Sequence, residues 1–507
     1  MRMKYSRALL ILVCFFSSCK HYNKNASHQQ ISDNSIATGE KLAKQYCGSC
    51  HIQPDPSMLN AKSWQDGVLP EMGPRLGIFF YGYKEYPSYK RDMLVDKNFY
   101  PAQPVLSFAD WQHIIDYYTS VSPDSLLPAK RPLPVTINNN LFSAATTSFK
   151  YHMPTASFVK INNGSLMMCD AFGKKLYLFD NKLQVTDSLN TIGSVTQVLE
   201  DSDTYLLCNT GILTPNNGKY GSVVRINLNK KIKDSFLFRD LKRPVNIVPA
   251  DINKDGKTDL VVCEFGNLEG ALSWLEKKDT GYTRHVIRAS PGAIKAYVDD
   301  YNHDGFPDIW ALFAQGDESI YLFTNNGNGT FTPQRILRFP PVYGSSYFEL
   351  DDMNKDGYPD IIYTCGDNAD YSPVLKPYHG VYIFLNDGKN NFTQKYFYPV
   401  NGCYKAVAKD FDGDGDPDIA TISFFADYKN HPEEGFIYFK NNGNFNFTPY
   451  SMDAAKYGRW LTMDVGDFDG DGKPDIMLGN FSLMDPIFKA NVDWKNQPPF
   501  LLLKNIQ

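Results

Sequence analysis

Five times between residues 251 and 475 the chain repeats Asp-x-Asx-x-Asp-Gly-x-x-Asp, and no other feature of its 507 residues restricts the fold so strongly. The copies are Asp251-Asn253-Asp255-Gly256-Asp259, Asp300-Asn302-Asp304-Gly305-Asp308, Asp352-Asn354-Asp356-Gly357-Asp360, Asp410-Asp412-Asp414-Gly415-Asp418 and Asp467-Asp469-Asp471-Gly472-Asp475. Their first aspartates follow one another at intervals of 49, 52, 58 and 57 residues. Each interval holds four short apolar runs between turns rich in Gly and Asn, which predicts one four-stranded blade of a β-propeller per repeat.

The loops carry hard-cation chemistry. Oxygen-bearing side chains at alternate positions, a glycine for the sharp turn and a further carboxylate gather oxygen ligands of the kind calcium takes, so up to five calcium ions are expected. The bidentate Glu of an EF-hand is missing at position 12. The motif resembles the FG-GAP/VCBS repeats, calcium-bearing propeller blades, over about residues 240 to 480. With the end of each second strand as marker, Cys169 and Cys208 precede Cys263, Phe313, Cys365, Ser423 and Leu478 in phase, which predicts seven blades. The last blade lacks a fourth strand, and the segment near Leu141 to Lys150 is expected to supply it and close the ring.

Upstream stands Cys47-Gly48-Ser49-Cys50-His51. Two thiols and an imidazole on one short turn suit covalent attachment of one haem c, with Cys47 and Cys50 bonded to the porphyrin and His51 on the iron. A redox Cys-x-x-Cys or half a zinc site is the alternative, but no second Cys pair lies nearby. The motif resembles that of small c-type cytochromes, and the resemblance implies a small all-α cytochrome c domain over residues 36–125, ahead of the all-β propeller. Ser107-x-x-Asp110 caps a helix with Trp111, Ile114, Ile115 and Tyr118 at helical spacing. The sixth iron ligand is expected to be Met72, with Met93 and Met58 as alternatives; the family's usual late Met is replaced by Tyr100-Pro101-Ala102-Gln103.

The N-terminus combines Arg2, Lys4 and Arg7 with an apolar run from Ala8 to Phe16, too short to span a bilayer. Phe16-Ser17-Ser18-Cys19 resembles a lipobox, which implies a bacterial lipoprotein acylated at Cys19; a signal that is simply cleaved is the alternative. The expected divisions are a signal at 1–19, a polar tether at 20–35, the haem domain, a linker at 126–139 and the propeller at 140–507. Of nine cysteines, Cys169, Cys208, Cys263, Cys365 and Cys403 remain after signal, lipid and haem, and are read as core positions. The protein is expected to be exported and anchored to the outer membrane by lipid alone, facing periplasm or surface. Its net charge of -5, without a basic stripe, excludes a nucleic-acid partner.

Function is expected at the propeller end opposite the cation loops, where inner-strand entries converge. His379, Asp370, Asp367, Lys376, Lys405 and Arg459 are the candidate catalytic groups there. The leading reading is electron transfer, with the propeller docking a redox partner protein or a ligand. The second is an oxidoreductase that oxidises a small-molecule substrate and feeds its own haem, in outline similar to quinohaemoprotein dehydrogenases. A third is a surface protein that binds glycans or proteins.

Overall fold

The computed structural model describes residues 22–137, 140–150, 153–201, 204–227, 232–369, 371–483, 492, 494 and 496–507. Its strands form seven antiparallel blades, at residues 156–190, 194–241, 244–288, 293–338, 345–399, 403–451 and 460–505. In the last five blades the second strand, for example Asp360–Cys365 or Asp418–Ser423, is buried at all six positions, because a blade is packed between two neighbours. All five cysteines assigned to the propeller core are fully buried.

The ring closes as the missing strand requires. Phe142–Ala145 pairs antiparallel with Phe500–Asn505, so the seventh blade joins the chain's last strand to one from the propeller's start. Inner strands are stitched from blade to blade by side chains that accept backbone N–H groups. Gln197 accepts from Ile247, Asn246 from Ala296, Glu349 from Ala408, and Asp464 from Ile161 across the closure.

The expectation of a small all-α cytochrome c domain ahead of the propeller is overturned. The described chain is mostly propeller, and the N-terminal segment supplies only three α-helices of seven residues or more, α1 (Asp33–Tyr46), α2 (Leu69–Arg75) and α3 (Phe108–Val121), with the one-turn Ala61–Ser63 and a π-helical stretch, Trp64–Val68, leading into α2. A two-stranded hairpin, Phe80–Tyr81 with Lys84–Glu85, lies between the last two. The cluster they form around Trp64, Trp111 and Ile114 is not separate from the propeller: it buries Val342 of the propeller and packs against Val374 and Tyr378. The helices that the sequence indicates do form: Ser107 caps α3, and Trp111, Ile114 and Tyr118 are buried.

Neither flanking segment runs free where it is described. Tyr22 is buried and donates to Glu40 at 2.6 Å, while Asn25 bonds the backbone of Ser120 and Ser122 at the end of α3. In the linker, Arg131 pairs with Glu434, and Thr136–Ile137 adds a parallel fifth strand to the sixth blade. The signal expected at residues 1–19, with Cys19, lies outside the described residues.

Candidate functional site

The Cys-x-x-Cys-His turn is positioned by α1. That helix starts at Ser32, whose side chain accepts from the N–H of Ser35, and crosses α3 so closely at Gly39 that an added Cβ would lie 1.8 Å from the carbonyl oxygen of His113. A 3-10 turn, Cys47–Ser49, then continues the helical path, which puts Cys47 and Cys50 three residues apart on one face. Cys47 packs against the shared cluster, whereas Cys50 is exposed. Burial pushes the Cys47 thiol up to about 12, a poor setting for thiol–disulfide exchange, which needs the thiolate.

His51 follows with its ring partly buried. Its Nδ1 donates to the carbonyl of Ile52 at 2.9 Å, which leaves Nε2 as the nitrogen with a free lone pair, and burial lowers its pKa and so favours the neutral ring. Beyond it Tyr118 donates to the Pro54 carbonyl, and Trp64 and Ser122 donate to that of Pro56. Met58 and Met72 both pack on the cluster that holds Cys47, while Met93 is 98% exposed. Two thiols on one helical face, an imidazole with a free Nε2 and an aromatic, thioether-bearing surround are a donor set that fits a haem.

The propeller end expected to bind ligands is covered by this N-terminal segment. Tyr378 donates to the Met58 carbonyl at 3.1 Å, Asp92 accepts from Asn217, and Gly67 comes so near the Tyr371 carbonyl that a Cβ there would sit 1.9 Å from it. These contacts come from loops after second strands, whereas the Asp loops follow first strands at the opposite end.

The proposed catalytic groups divide by depth. Arg459 donates to the Phe424 carbonyl at 2.9 Å and stacks on the Phe424 ring. Around it Phe424, Phe481 and Ala171, with Tyr404, Phe425, Leu461 and Leu213, form an apolar cluster drawn from four blades. Lys376 is buried and donates to Asn368 at 2.8 Å. His379 is 1% exposed, and burial together with Lys376 drives its pKa well below the ordinary value. Asp367 accepts from the N–H of Ala369, and burial raises its pKa despite Lys376 and Arg243. Asp370 lies outside the described residues.

Lys405 belongs to the inner wall of the ring, not its rim. Its Nζ donates to the Met463 carbonyl at 2.8 Å and lies 5.0 Å from the centre of the Tyr347 ring. Lys295 stands 6.0 Å from that ring centre, and Glu349 and Asp464 supply the opposing charges. Sequence reasoning missed Glu349 and Asp464, although their place on inner strands at the phase of Lys405 was a usable signal.

Burial raises Glu349 from 4.5 to about 7 and lowers Lys295 from 10.5 to about 8. The folded chain therefore holds a proton on Glu349 that the unfolded chain releases between pH 4.5 and about 7, and stability falls as pH rises through that window. For Lys295 the sign reverses, and stability rises between about 8 and 10.5. Glu349→Gln is expected to raise stability at pH 8 by up to about 3 kcal/mol and to leave it nearly unchanged at pH 4, as read from urea midpoints at the two pH values.

At the other end the first three Asp loops share one hydrogen-bonding plan, and in the last two the first Asp, Asp410 or Asp467, accepts instead from the N–H groups of the glycines at positions four and six. In the first, Asp251 accepts from the N–H groups of Asp255 and Gly256, and Asp255 accepts from that of Lys257. The glycine at position six has φ between +82° and +93° in all five copies, a region where a side chain is strained. The last Asp opens the second strand and is fully buried or nearly so: Asp259, Asp308, Asp360, Asp418 and Asp475 are at most 1% exposed. Asp410, Asp412 and Asp418, and likewise Asp467, Asp469 and Asp475, bring carboxylate oxygens within 4.8 Å of one another. The other three loops offer an Asn amide oxygen at the third position: Asn253, Asn302 and Asn354.

Comparison with known proteins agrees with the loops. Residues 251–311, 300–363 and 424–478 match the FG-GAP-like repeat, which takes in four of the five Asp loops. Among solved structures, a catalytically inactive form of virginiamycin B lyase from Staphylococcus aureus with quinupristin is 12% identical, covers 72% of this chain and 100% of its own, and has a TM-score of 0.46. The N-terminal domain of Nup159 is 12% identical over 74% of this chain and 98% of its own, with a TM-score of 0.43. BBS1N in complex with ARL6DN is 10% identical over 72% and 97%, with a TM-score of 0.44. The seven blades stand on the strand pairing described above, and the propeller carries FG-GAP-like repeats.

Proposed function

We propose that this chain is an exported electron-transfer protein: a haem held covalently by Cys47 and Cys50 and ligated by His51 sits against the face of a calcium-bearing propeller, which docks a redox partner or ligand. The observation that carries the reading is the Cys-x-x-Cys-His turn, with Nδ1 of His51 committed to the Ile52 carbonyl and Nε2 left for a metal. The haem would supply one-electron exchange. Cys47 and Cys50 would fix it, Met72 or Met58 would offer the sixth ligand, and Trp64, Leu69 and Ile78 would exclude water from its face. With Cys19 acylated, only two residues, Lys20 and His21, would separate it from the docked Tyr22, so three Cα steps would hold the body within roughly 11 Å of the membrane surface.

The test is a visible spectrum of protein produced in an export host that attaches haem, recorded oxidised, chemically reduced and reoxidised. Covalent haem with reversible reduction is the expected result, and its lack sinks the proposal. Adding pools of sugars, alcohols and acids anaerobically to the oxidised protein, with and without a quinone cofactor, separates carrier from enzyme. Reduction by one pool would replace the carrier reading with an oxidoreductase.

A further inference from the structure

The last aspartate of each loop lets the five blades be compared residue by residue. One oxygen of its carboxylate accepts from a backbone N–H of the third strand: Asp259 from Lys277, Asp308 from Asn325, Asp360 from Asn386, Asp418 from Asn441 and Asp475 from Asn505. The residue before each donor therefore holds an equivalent place, and in chain order it is Glu276, Thr324, Leu385, Lys440 and Lys504. The two lysines reach into their own loops. Lys440 Nζ donates to Asp412 and lies 3.9 Å from Asp414, and Lys504 Nζ donates to Asp469 at 3.0 Å. Asp412 and Asp469 are the third-position residues, which are Asn in the other three loops. Each added carboxylate is thus met by an ammonium of its own blade. Two further lysines serve the same loops: Lys355 of the fifth blade donates to Asp416, and Lys473 lies 3.4 Å from Asp471. In the third blade the equivalent residue is an acid, Glu276, which accepts from the Asn253 amide at 3.0 Å and pairs with Lys278 and His285.

We infer that Lys440 and Lys504 are built-in counter-cations, so that the sixth and seventh blades hold their loops without calcium and bind it more weakly than the third, fourth and fifth blades do. The inference rests on the calcium reading and deepens it, because it divides five loops of one motif into two classes. Carboxylates crowded on a tight turn repel one another, and an ammonium among them supplies both charge and hydrogen-bond donors. Calcium must displace that ammonium before it can use Asp412 or Asp469, which lowers its affinity there. The placement suits the fold. The sixth and seventh blades are the two that take a strand from the propeller's N-terminal side, Thr136–Ile137 and Phe142–Ala145. Lys504 itself lies on the closing pair, opposite Ser143. The ring would therefore stay closed when calcium is scarce, and the dependence on calcium would fall on the third to fifth blades.

The experiment is hydrogen exchange of the full chain in calcium and in chelator, read by mass spectrometry on peptides that span the five loops. Wild type, Lys440→Met, Lys504→Met and the double variant Asp412→Asn with Lys440→Met are compared. In wild type, chelation is expected to speed exchange of residues 251–259, 300–308 and 352–360 by roughly tenfold or more, and that of 410–418 and 467–475 severalfold less. Lys440→Met should bring 410–418 up to the response of the first three loops and leave 467–475 unchanged; Lys504→Met should do the reverse. Calorimetric titration with calcium should show the loop of Lys440→Met binding about tenfold more tightly than in wild type. Adding Asp412→Asn should slow exchange of 410–418 in chelator again, because the unmatched carboxylate is gone, whereas simple loss of the lysine's packing would not be rescued. An equal response of all five loops in wild type, or a Lys440→Met variant whose 410–418 segment behaves as wild type, overturns the inference and leaves calcium binding standing. A wild type in which calcium changes no loop and gives no binding heat overturns the calcium reading and the inference with it.

Discussion

On the haem reading, replacing Cys47 and Cys50 together with alanine is expected to take covalent haem from about one per chain to none, as read from the mass of the denatured protein, with the far-ultraviolet spectrum of the propeller unchanged. The two outcomes separate because the thiols contribute little to the fold. Cys50 is exposed and Cys47 only edges the shared cluster, so the loss of two sulfurs costs about 1 kcal/mol or less. Exposed Cys50→Ala alone should retain haem through the remaining Cys47 thioether at reduced yield. His51→Ala should keep a thiol-attached porphyrin but lose the low-spin spectrum that an imidazole ligand gives. A double variant that still carried covalent haem would remove the attachment site from this turn.

How much of this was legible in the sequence follows from which features repeat. The blades were legible because the Asp loops recur in phase, and the markers from Cys169 to Leu478 all fall on second strands. The closing strand was legible because the seventh blade visibly lacks its outer strand, and Phe142–Ala145 is the segment that fills it. Docking of the N-terminal helices on the propeller was not legible. It depends on single loop residues, Val342, Tyr371 and Tyr378, that follow no period. The same limit made a separate cytochrome domain look self-sufficient, since helical spacing reports which face is apolar and not whether a neighbour is needed to cover it. Depth was lost too: alternation along Cys403–Lys409 places Lys405 on the inner side of its strand but does not tell the rim from the wall of the ring.

The second large effect concerns the buried aspartate that ends each loop. Asp418 is fully buried and accepts three hydrogen bonds, from the N–H of Asn441 at 2.7 Å, the N–H of Phe411 at 3.2 Å and the hydroxyl of Tyr438 at 2.8 Å. Its carboxylate therefore ties the loop to the second and third strands of its blade whether or not a cation is present. Alanine there strands three buried donors at about 1–3 kcal/mol each, so Asp418→Ala is expected to lose roughly 4 kcal/mol of stability even with a chelator present. Asp414, with its side chain 41% exposed, accepts one hydrogen bond, from the N–H of Asp416 at 3.0 Å, and pairs loosely with Lys440 at 3.9 Å, a cation that Asp412 holds more closely. Asp414→Ala should thus be nearly neutral in chelator and lose its share of the increment that calcium gives, about 2.7 kcal/mol for a site at a hundredfold excess over its Kd. Urea unfolding of both variants in calcium and in chelator distinguishes strut from ligand. If Asp414→Ala keeps the whole calcium increment, this loop is not a cation site; if Asp418→Ala costs less than about 1 kcal/mol in chelator, the three bonds are not what holds the blade.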